Sequence, residues 1–341
     1  MKKVSLKDIA REVGVSTALV SYVLNNLKEG RINKEIAARI REVAGKMNYR
    51  PNQIAKSLKT NRTYTIGVIV ADIANPFSSS LARIIEDEAN EHNYTVFFGS
   101  SDENLSKFIK LTDTFLVRQV DGLILSPPEN AEKYVEILMK QNIPFVLLDR
   151  YIPELKTNYV LIDNHKASAE ATKHLIGSGC TNVGMISYNS NLVHLKEREQ
   201  GFIGALENAG YTAANFNIKH VDIVNNREEI QKAVQELLNQ TDPVNGLLFA
   251  SNMIAGYSLR YINTLSLRIP DHLKVVSFDE TESLDLFYSP ITYVRQPLQD
   301  MGKMAMKIIL DLIGKPNTIT QVAMNADLII RQSTRLVSSS N

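Results

Sequence analysis

The sequence predicts an all-α head of about 48 residues joined to an α/β body of two doubly wound parallel-sheet subdomains. Three observations carry this reading. Residues 1–62 hold 14 Lys/Arg against 5 Asp/Glu, a net +9, whereas the remainder holds 24 against 32, a net −8. In the head, apolar residues recur only at helical spacing. From Tyr64 onward, near-continuous apolar runs alternate with amphipathic stretches, as in parallel sheets covered on both faces. With 341 residues, 44% of them hydrophobic, the chain can build two or three domains, each with its own core.

The head begins VSLKDIAREVGVSTALVSYVLNN. Ser5 and Asp8 form an S-x-x-D capping box before a short helix with Leu6, Ile9, Ala10 and Val13 on one face. Gly14 supplies the positive φ of a tight turn. Ser16 can cap a second helix whose Leu19, Val20, Val23 and Leu24 face inward, and a third runs from about Lys34 to Met47 on Ile36, Ala37, Ile40, Val43, Ala44 and Met47. Helix, Gly-containing turn, helix and supporting helix make a helix-turn-helix. Besides the caps Ser5 and Ser16, the outward residues Thr17, Ala18, Ser21, Tyr22 and Asn25 are candidates for phosphate and base contacts, and the basic charge points the same way. Residues 49–62 contain NYRPNQIAKSL; Ile54, Ala55 and Leu58 line a helix too short to stand alone, so it is a linker or a helix that forms on docking.

In the body, the runs TIGVIVAD, YTVFFGSS, DGLILSPP and IPFVLLDR read as strands, separated by helices near 77–92, 103–119 and 131–141. NYVLIDN leads into a helix at 166–178. NVGMISY, VNGLLFAS and LKVVSFD repeat the alternation, with helices near 196–209, 227–240 and 253–265.

Several function classes are excluded. No apolar run reaches the ~20 residues of a membrane span. The charged stretch after Met1-Lys2-Lys3 stands where a signal peptide needs its apolar segment, and the single Cys180 suits a reducing compartment, so a cytoplasmic protein is expected. Neither a dinucleotide glycine fingerprint, a phosphate loop, an H-E-x-x-H pair nor a nucleophile elbow occurs. The six histidines are scattered and read as solvated, so no metal, no cofactor and no enzyme activity are expected.

Ligands of open α/β sheets bind beyond the carboxyl ends of the strands. The residues there are Asp72, Asp102, Ser126 and Arg150 in the first set and Tyr188, Asn252 and Asp279 in the second. Asp163 lies where the chain passes between subdomains, with Phe77 and Phe249 nearby. Carboxylates, an amide and arginine converging on one cleft suit a small polyhydroxylated ligand. A sugar-binding protein of transport is the alternative reading of the body; the basic head speaks against it.

The head motif, NYRPNQIAKSL and the alternating body together resemble the LacI/GalR family of bacterial transcriptional regulators over essentially the whole chain. The resemblance implies a ligand-controlled repressor whose second helix enters the major groove and whose segment 49–62 is a hinge helix folding on operator DNA. It places Ala55, Leu58 and Lys59 at the minor groove, with Leu58 as the wedge that unstacks a base step, and Asn52 is a further candidate for DNA contact. Tyr22 stands where the family often has Arg, which alters the expected half-site. Asn75-Pro76-Phe77, Arg150, Asp163, Arg198, Asn252 and Asp279 match effector-contacting positions. Ser78 replaces a common aromatic there, and Met253 a common Asp. The resemblance further implies a periplasmic-binding-protein-like core over 63–341, with an N-subdomain of about 63–163 and 295–325 and a C-subdomain of about 164–292 and 326–341. A pseudo-palindromic operator, a sugar-like effector and a homodimer are the expected partners.

Overall fold

The computed structural model describes residues 4–25, 31–50, 62–212, 216–223, 227–314 and 319–335. The chain divides after Thr63 into two units.

In the head, α1 (Leu6–Val13) starts at Ser5, whose N–H and hydroxyl both donate to Asp8 Oδ2, at 2.9 and 2.7 Å. It ends at Gly14, whose φ of 78° lets the chain reverse. Ser16 Oγ accepts from Leu19 N at 3.2 Å to open α2 (Thr17–Leu24), and Asn33 caps α3 (Lys34–Lys46). Ile9, Val20 and Ile40 are fully buried at the centre, with Val23, Ala10 and Ala44 around them. Ile36, expected in this core, is exposed: it lies in the first turn of α3, whose packing centres on Ile40 and Ala44.

The body unit holds two six-stranded sheets. The first is built from β1 (Thr65–Val70), β2 (Thr95–Ser100), β3 (Gly122–Leu125), β4 (Phe145–Leu148) and β5 (Tyr159–Ile162). Between these strands run α4 (Pro76–Glu91), α5 (Leu105–Val117) and α6 (Glu132–Lys140). The second is built from β6 (Val183–Tyr188), β7 (Asn217–Val221), β8 (Gly246–Phe249), β9 (Lys274–Phe278) and β10 (Thr292–Arg295). Its helices are α7 (Asn164–Gly177), α8 (Val193–Asn208), α9 (Arg227–Leu238), α10 (Asn252–Ile262) and the one-turn α11 (Glu282–Asp285). The chain then returns: α12 (Leu298–Gly314) packs on α4 of the first half, β11 (Gln321–Met324) pairs parallel with β5, and β12 (Asp327–Ile329) pairs antiparallel with β10.

The strand orders β2-β1-β3-β4-β5-β11 and β7-β6-β8-β9-β10-β12 are therefore the same path drawn twice. Apolar residues on both strand faces explain the layers; Leu248 and Ala250 face one core, and Leu247 and Phe249 the other. Helices α7 and α8 meet so closely that a Cβ at Gly201 would stand 2.1 Å from the His165 carbonyl oxygen. Among the described residues no helix is long and apolar enough to cross a membrane.

Candidate functional site

The carboxyl ends of the strands in the two halves face a shared cavity of about 430 Å³. Asp72, Phe77, Ser78, Asp102, Arg150, Arg198 and Asp279 all line it, as the strand-end positions and the motif suggested. Asp72 Oδ1 accepts from Ala74 N at 2.9 Å in a tight turn after β1. Asn75 then caps α4 through Phe77 N, which sets Phe77 and Ser78 at the cavity edge.

Arg150 is 7% exposed. Its guanidinium is held by Glu103 in a two-pronged pair, Nη1 to Oε2 at 2.7 Å and Nη2 to Oε1 at 2.6 Å, and Nη1 also donates to the Pro127 carbonyl. Burial disfavours the charge, but Glu103 outweighs it and holds the guanidinium protonated above its usual range. Arg198 donates from Nε to Asn164 Oδ1 at 2.8 Å and from Nη1 to the Ala250 carbonyl at 2.7 Å, and it stacks 4.0 Å from the Phe278 ring centre. Such a buried cation over an aromatic face is a fixed positive pole. Gln296 Nε2 donates to Asp279 Oδ1 at 2.7 Å; burial pushes the Asp279 carboxyl up, against the pull of Arg198 and this hydrogen bond.

The structure corrects several expectations. Phe249 is fully buried: the two-residue period of β8 turns its ring toward α9 and α10, away from the cavity. Tyr188 and Tyr257 line the cavity instead. Ser126 does not line it; its hydroxyl donates to the Leu148 carbonyl and ties β3 to β4. Asp163 caps α7 through Lys166 N at 2.9 Å and lies outside the lining. Asn252 is likewise not a lining residue, but its Nδ2 donates to Asn75 Oδ1 at 2.9 Å and so joins the two halves. Asp102 lines the cavity with its carboxylate engaged, by Lys107 first and by Ser100 at 2.5 Å, and both lower its pKa.

Residues the sequence reading passed over complete the site. His194, expected to be solvated, is buried at the cavity wall, and its Nδ1 has no hydrogen-bond partner among the described residues. Burial first, then the charges of Arg150 and Arg198, hold it well below the usual imidazole range, so the ring is neutral. Asp149 and Glu103 also line the cavity. Asp102, Glu103, Asp149 and Asp279 all sit on left-handed backbone, with φ of 51°, 55°, 69° and 69°. Each such residue is strained by about 1 kcal/mol or more, and strain of this kind collects at functional sites. Among the described residues no group of His, Cys, Asp and Glu could hold a metal.

In the head, Ser16, Thr17, Ala18 and Asn25 are exposed, and Ser21 and Tyr22 are half-buried on α2. Ser5 stays at the surface as the start of α1. The Asn25 amide donates to the Ser21 carbonyl at 2.8 Å. Asn52, Ala55, Leu58 and Lys59 lie outside the described residues.

A helix-turn-helix unit joined in one chain to a doubly wound, two-sheet core with a polar cleft is the architecture of a DNA-binding transcriptional regulator. Comparison with known proteins gives the family. Residues 5–52 match the model described as bacterial regulatory proteins, lacI family, and residues 172–334 match the periplasmic binding protein-like domain. The ribose operon repressor of Halalkalibacterium halodurans is 31% identical over 97% of both chains. Among solved structures, the transcription regulator CcpA of Lactococcus lactis is 25% identical with a TM-score of 0.71, covering 80% of this chain and 99% of that one. The lac repressor dimer bound to operator and the anti-inducer ONPF superposes with a TM-score of 0.85 at 20% identity, over 98% of this chain and 100% of that one. The chain belongs to the lacI family of bacterial regulatory proteins.

Proposed function

We propose that this protein is a cytoplasmic repressor that binds a pseudo-palindromic operator as a homodimer and is controlled by a small neutral sugar held between the two halves of its core. The observation that carries the effector reading is the cavity itself. It brings Asp72, Asp149 and Asp279 together with Arg198, a neutral His194 and two tyrosines. Carboxylates accept hydrogen bonds from vicinal hydroxyls, and a tyrosine ring offers an apolar face to a pyranose or furanose. The ribose-operon role of a relative at 31% identity agrees with a sugar effector.

On this reading residues 1–48 read the DNA and 49–62 form the hinge. The core of 63–341 divides into an N-subdomain of about 63–163 with 295–325 and a C-subdomain of about 164–292 with 326–341. Ser5, Ser16, Thr17, Ala18, Ser21, Tyr22 and Asn25 contact DNA from the head, and Asn52, Ala55, Leu58 and Lys59 from the hinge. A dimer is supported by the edge strand β2, which exposes Phe97 and Phe98 at 37% and 42%.

The test is a panel of neutral monosaccharides and disaccharides in thermal-shift assays. A bound ligand raises stability by RT ln(1 + [L]/Kd). Each hit is then titrated into operator complexes selected from random duplex. A sugar that shifts the melting transition and changes operator affinity establishes the reading; a panel without effect on either overturns it.

A further inference from the structure

Both arginines of the cleft would ordinarily invite an anion, because a guanidinium offers two parallel N–H donors to a carboxylate or phosphate. At Arg150 that face is already taken. Glu103 fills the two-pronged face of Arg150, the Pro127 carbonyl takes a further bond from Nη1, and Nε, 3.8 Å from Asp149, is the donor left without a hydrogen bond among the described residues. Arg198 commits Nε and Nη1 to Asn164 and Ala250, and its Nη2 hydrogens, without a partner among the described residues, remain for a ligand oxygen.

Glu103 is not placed there by chance of rotamer. It follows Asp102 on a second consecutive left-handed residue, and its own N–H donates to the Ala71 carbonyl at 3.3 Å, which fixes the turn after β2. Arg150 is buried and Glu103 half-buried, with side-chain exposures of 8% and 17%. An incoming anion would have to displace the Glu103 carboxylate and break both of its bonds to a buried guanidinium.

We propose that Glu103 sets the charge selectivity of the cleft: by occupying the fork of Arg150 it denies a carboxylate or phosphate its two-pronged seat and so favours uncharged polyols. This rests on the reading of the cleft as the effector site, and it names the class of ligand the site rejects. Glu103 acts through Arg150 and is a positioning residue.

The test uses the full chain and inorganic phosphate as the probe, titrated by calorimetry against sodium chloride of matched ionic strength. The parent protein should bind phosphate only weakly. Glu103→Gln, which keeps the shape and removes the charge, should bind phosphate at least about tenfold more tightly. The double variant Glu103→Gln, Arg150→Gln should lose that gain. Should Glu103→Gln melt too low for calorimetry, Glu103→Ser opens the same face, and a phosphate-dependent rise in its melting temperature, beyond that of the parent, is the equivalent readout. Equal phosphate binding in parent and variant overturns the proposal, as does a gain that survives loss of Arg150. Failure of the neutral-sugar panel would instead sink the effector reading and would leave this titration unchanged.

Discussion

Asp149 and Asp279 hold equivalent places in the two halves of the core: each follows the fourth strand of its sheet, β4 or β9, and each has φ of 69°. Both line the same cavity, and the charge of Asp279 helps to raise the Asp149 pKa. The duplicated fold thus aims two carboxylates at one space. That is useful for gripping hydroxyl donors and unfavourable while the cleft is unliganded.

The cost should be measurable as a pH dependence. Burial pushes the Asp149 carboxyl up to about 6, with Arg150 and Arg198 opposing and Asp279 and Glu103 assisting. A raised folded pKa means the stabilising contribution is complete below the unfolded value near 4 and is lost as pH rises through about 6. Asn cannot ionise, so Asp149→Asn should exceed the parent in stability by roughly 2–3 kcal/mol near neutrality, and the two should converge only below about pH 4. The neutral His194 tilts both curves the other way, since the unfolded chain gains its proton below about 6.5; the difference between the two proteins cancels that effect. Urea denaturation across this range is the measurement, and a pH-independent difference would contradict the assignment.

A second prediction concerns closure. Glu129 of the first half accepts from Ser190 Oγ and from Asn191 N of the second, both at 2.5 Å, and Tyr151 donates to Glu197 at 2.9 Å. These bonds exist only when the halves are together. Glu129→Ala with Tyr151→Phe should shift the population toward an open cleft, and a ligand that needs closure should bind about 5–20-fold more weakly. Small-angle scattering should show a larger radius of gyration without ligand, restored by saturating ligand. An unchanged radius and affinity would show that these bonds do not govern closure.

In the head, the Ser16 cap is the sole side-chain bond that opens α2 among the described residues. Ser16→Ala should cost about 1 kcal/mol of helix stability. If Ser16 also meets a phosphate, operator affinity should fall further, with the dependence of log Kobs on log salt unchanged because a hydroxyl carries no charge. Effector affinity should not move. Operator titration of Ser16→Gly separates the two roles, since glycine costs the helix only a few tenths of a kcal/mol yet removes the hydroxyl: a cap role alone leaves affinity near that of the parent.

The alternation of apolar runs and amphipathic stretches was enough to place β1 through β6, β8 and β9 and the helices between them: all but β2 are buried on both faces and need no distant information, and β2, though an exposed edge, carries the apolar run TVFF. The return of the chain was not legible. Strand β11, QVAM, is half-exposed and exists because it pairs with β5, Gln321 against Tyr159. At the site, Arg150 was legible from the end of VLLDR, yet the same strand-end rule applied one residue earlier points to Asp149. Glu103 carried a weaker signal, an acidic pair before the Asn104 cap. His194 carried none, since its burial at the cavity wall depends on tertiary packing. Phe249 misled because a strand-end aromatic looks the same whichever sheet face it takes.

The last prediction separates effector binding from DNA binding. Asp279 is 6% exposed and receives the Gln296 amide at 2.7 Å, while Gln296 Oε1 is already without a partner among the described residues. Truncating Asp279 removes an acceptor for the ligand and strands a second polar end of Gln296. Asp279→Ala should therefore cost roughly 2–4 kcal/mol of ligand affinity, the range for removing one side of a buried charged hydrogen bond. Asp279→Asn keeps the volume and one acceptor and should cost less, which distinguishes lost charge from lost packing. Operator binding without ligand depends on the head residues and should change far less in either variant. Calorimetry with the ligand found in the sugar screen, beside ligand-free operator titrations, reads both quantities. Ligand affinity that survives Asp279→Ala would mean that the effector contacts lie elsewhere in the cavity, whereas loss of operator binding alone would mean that the substitution acts through the fold.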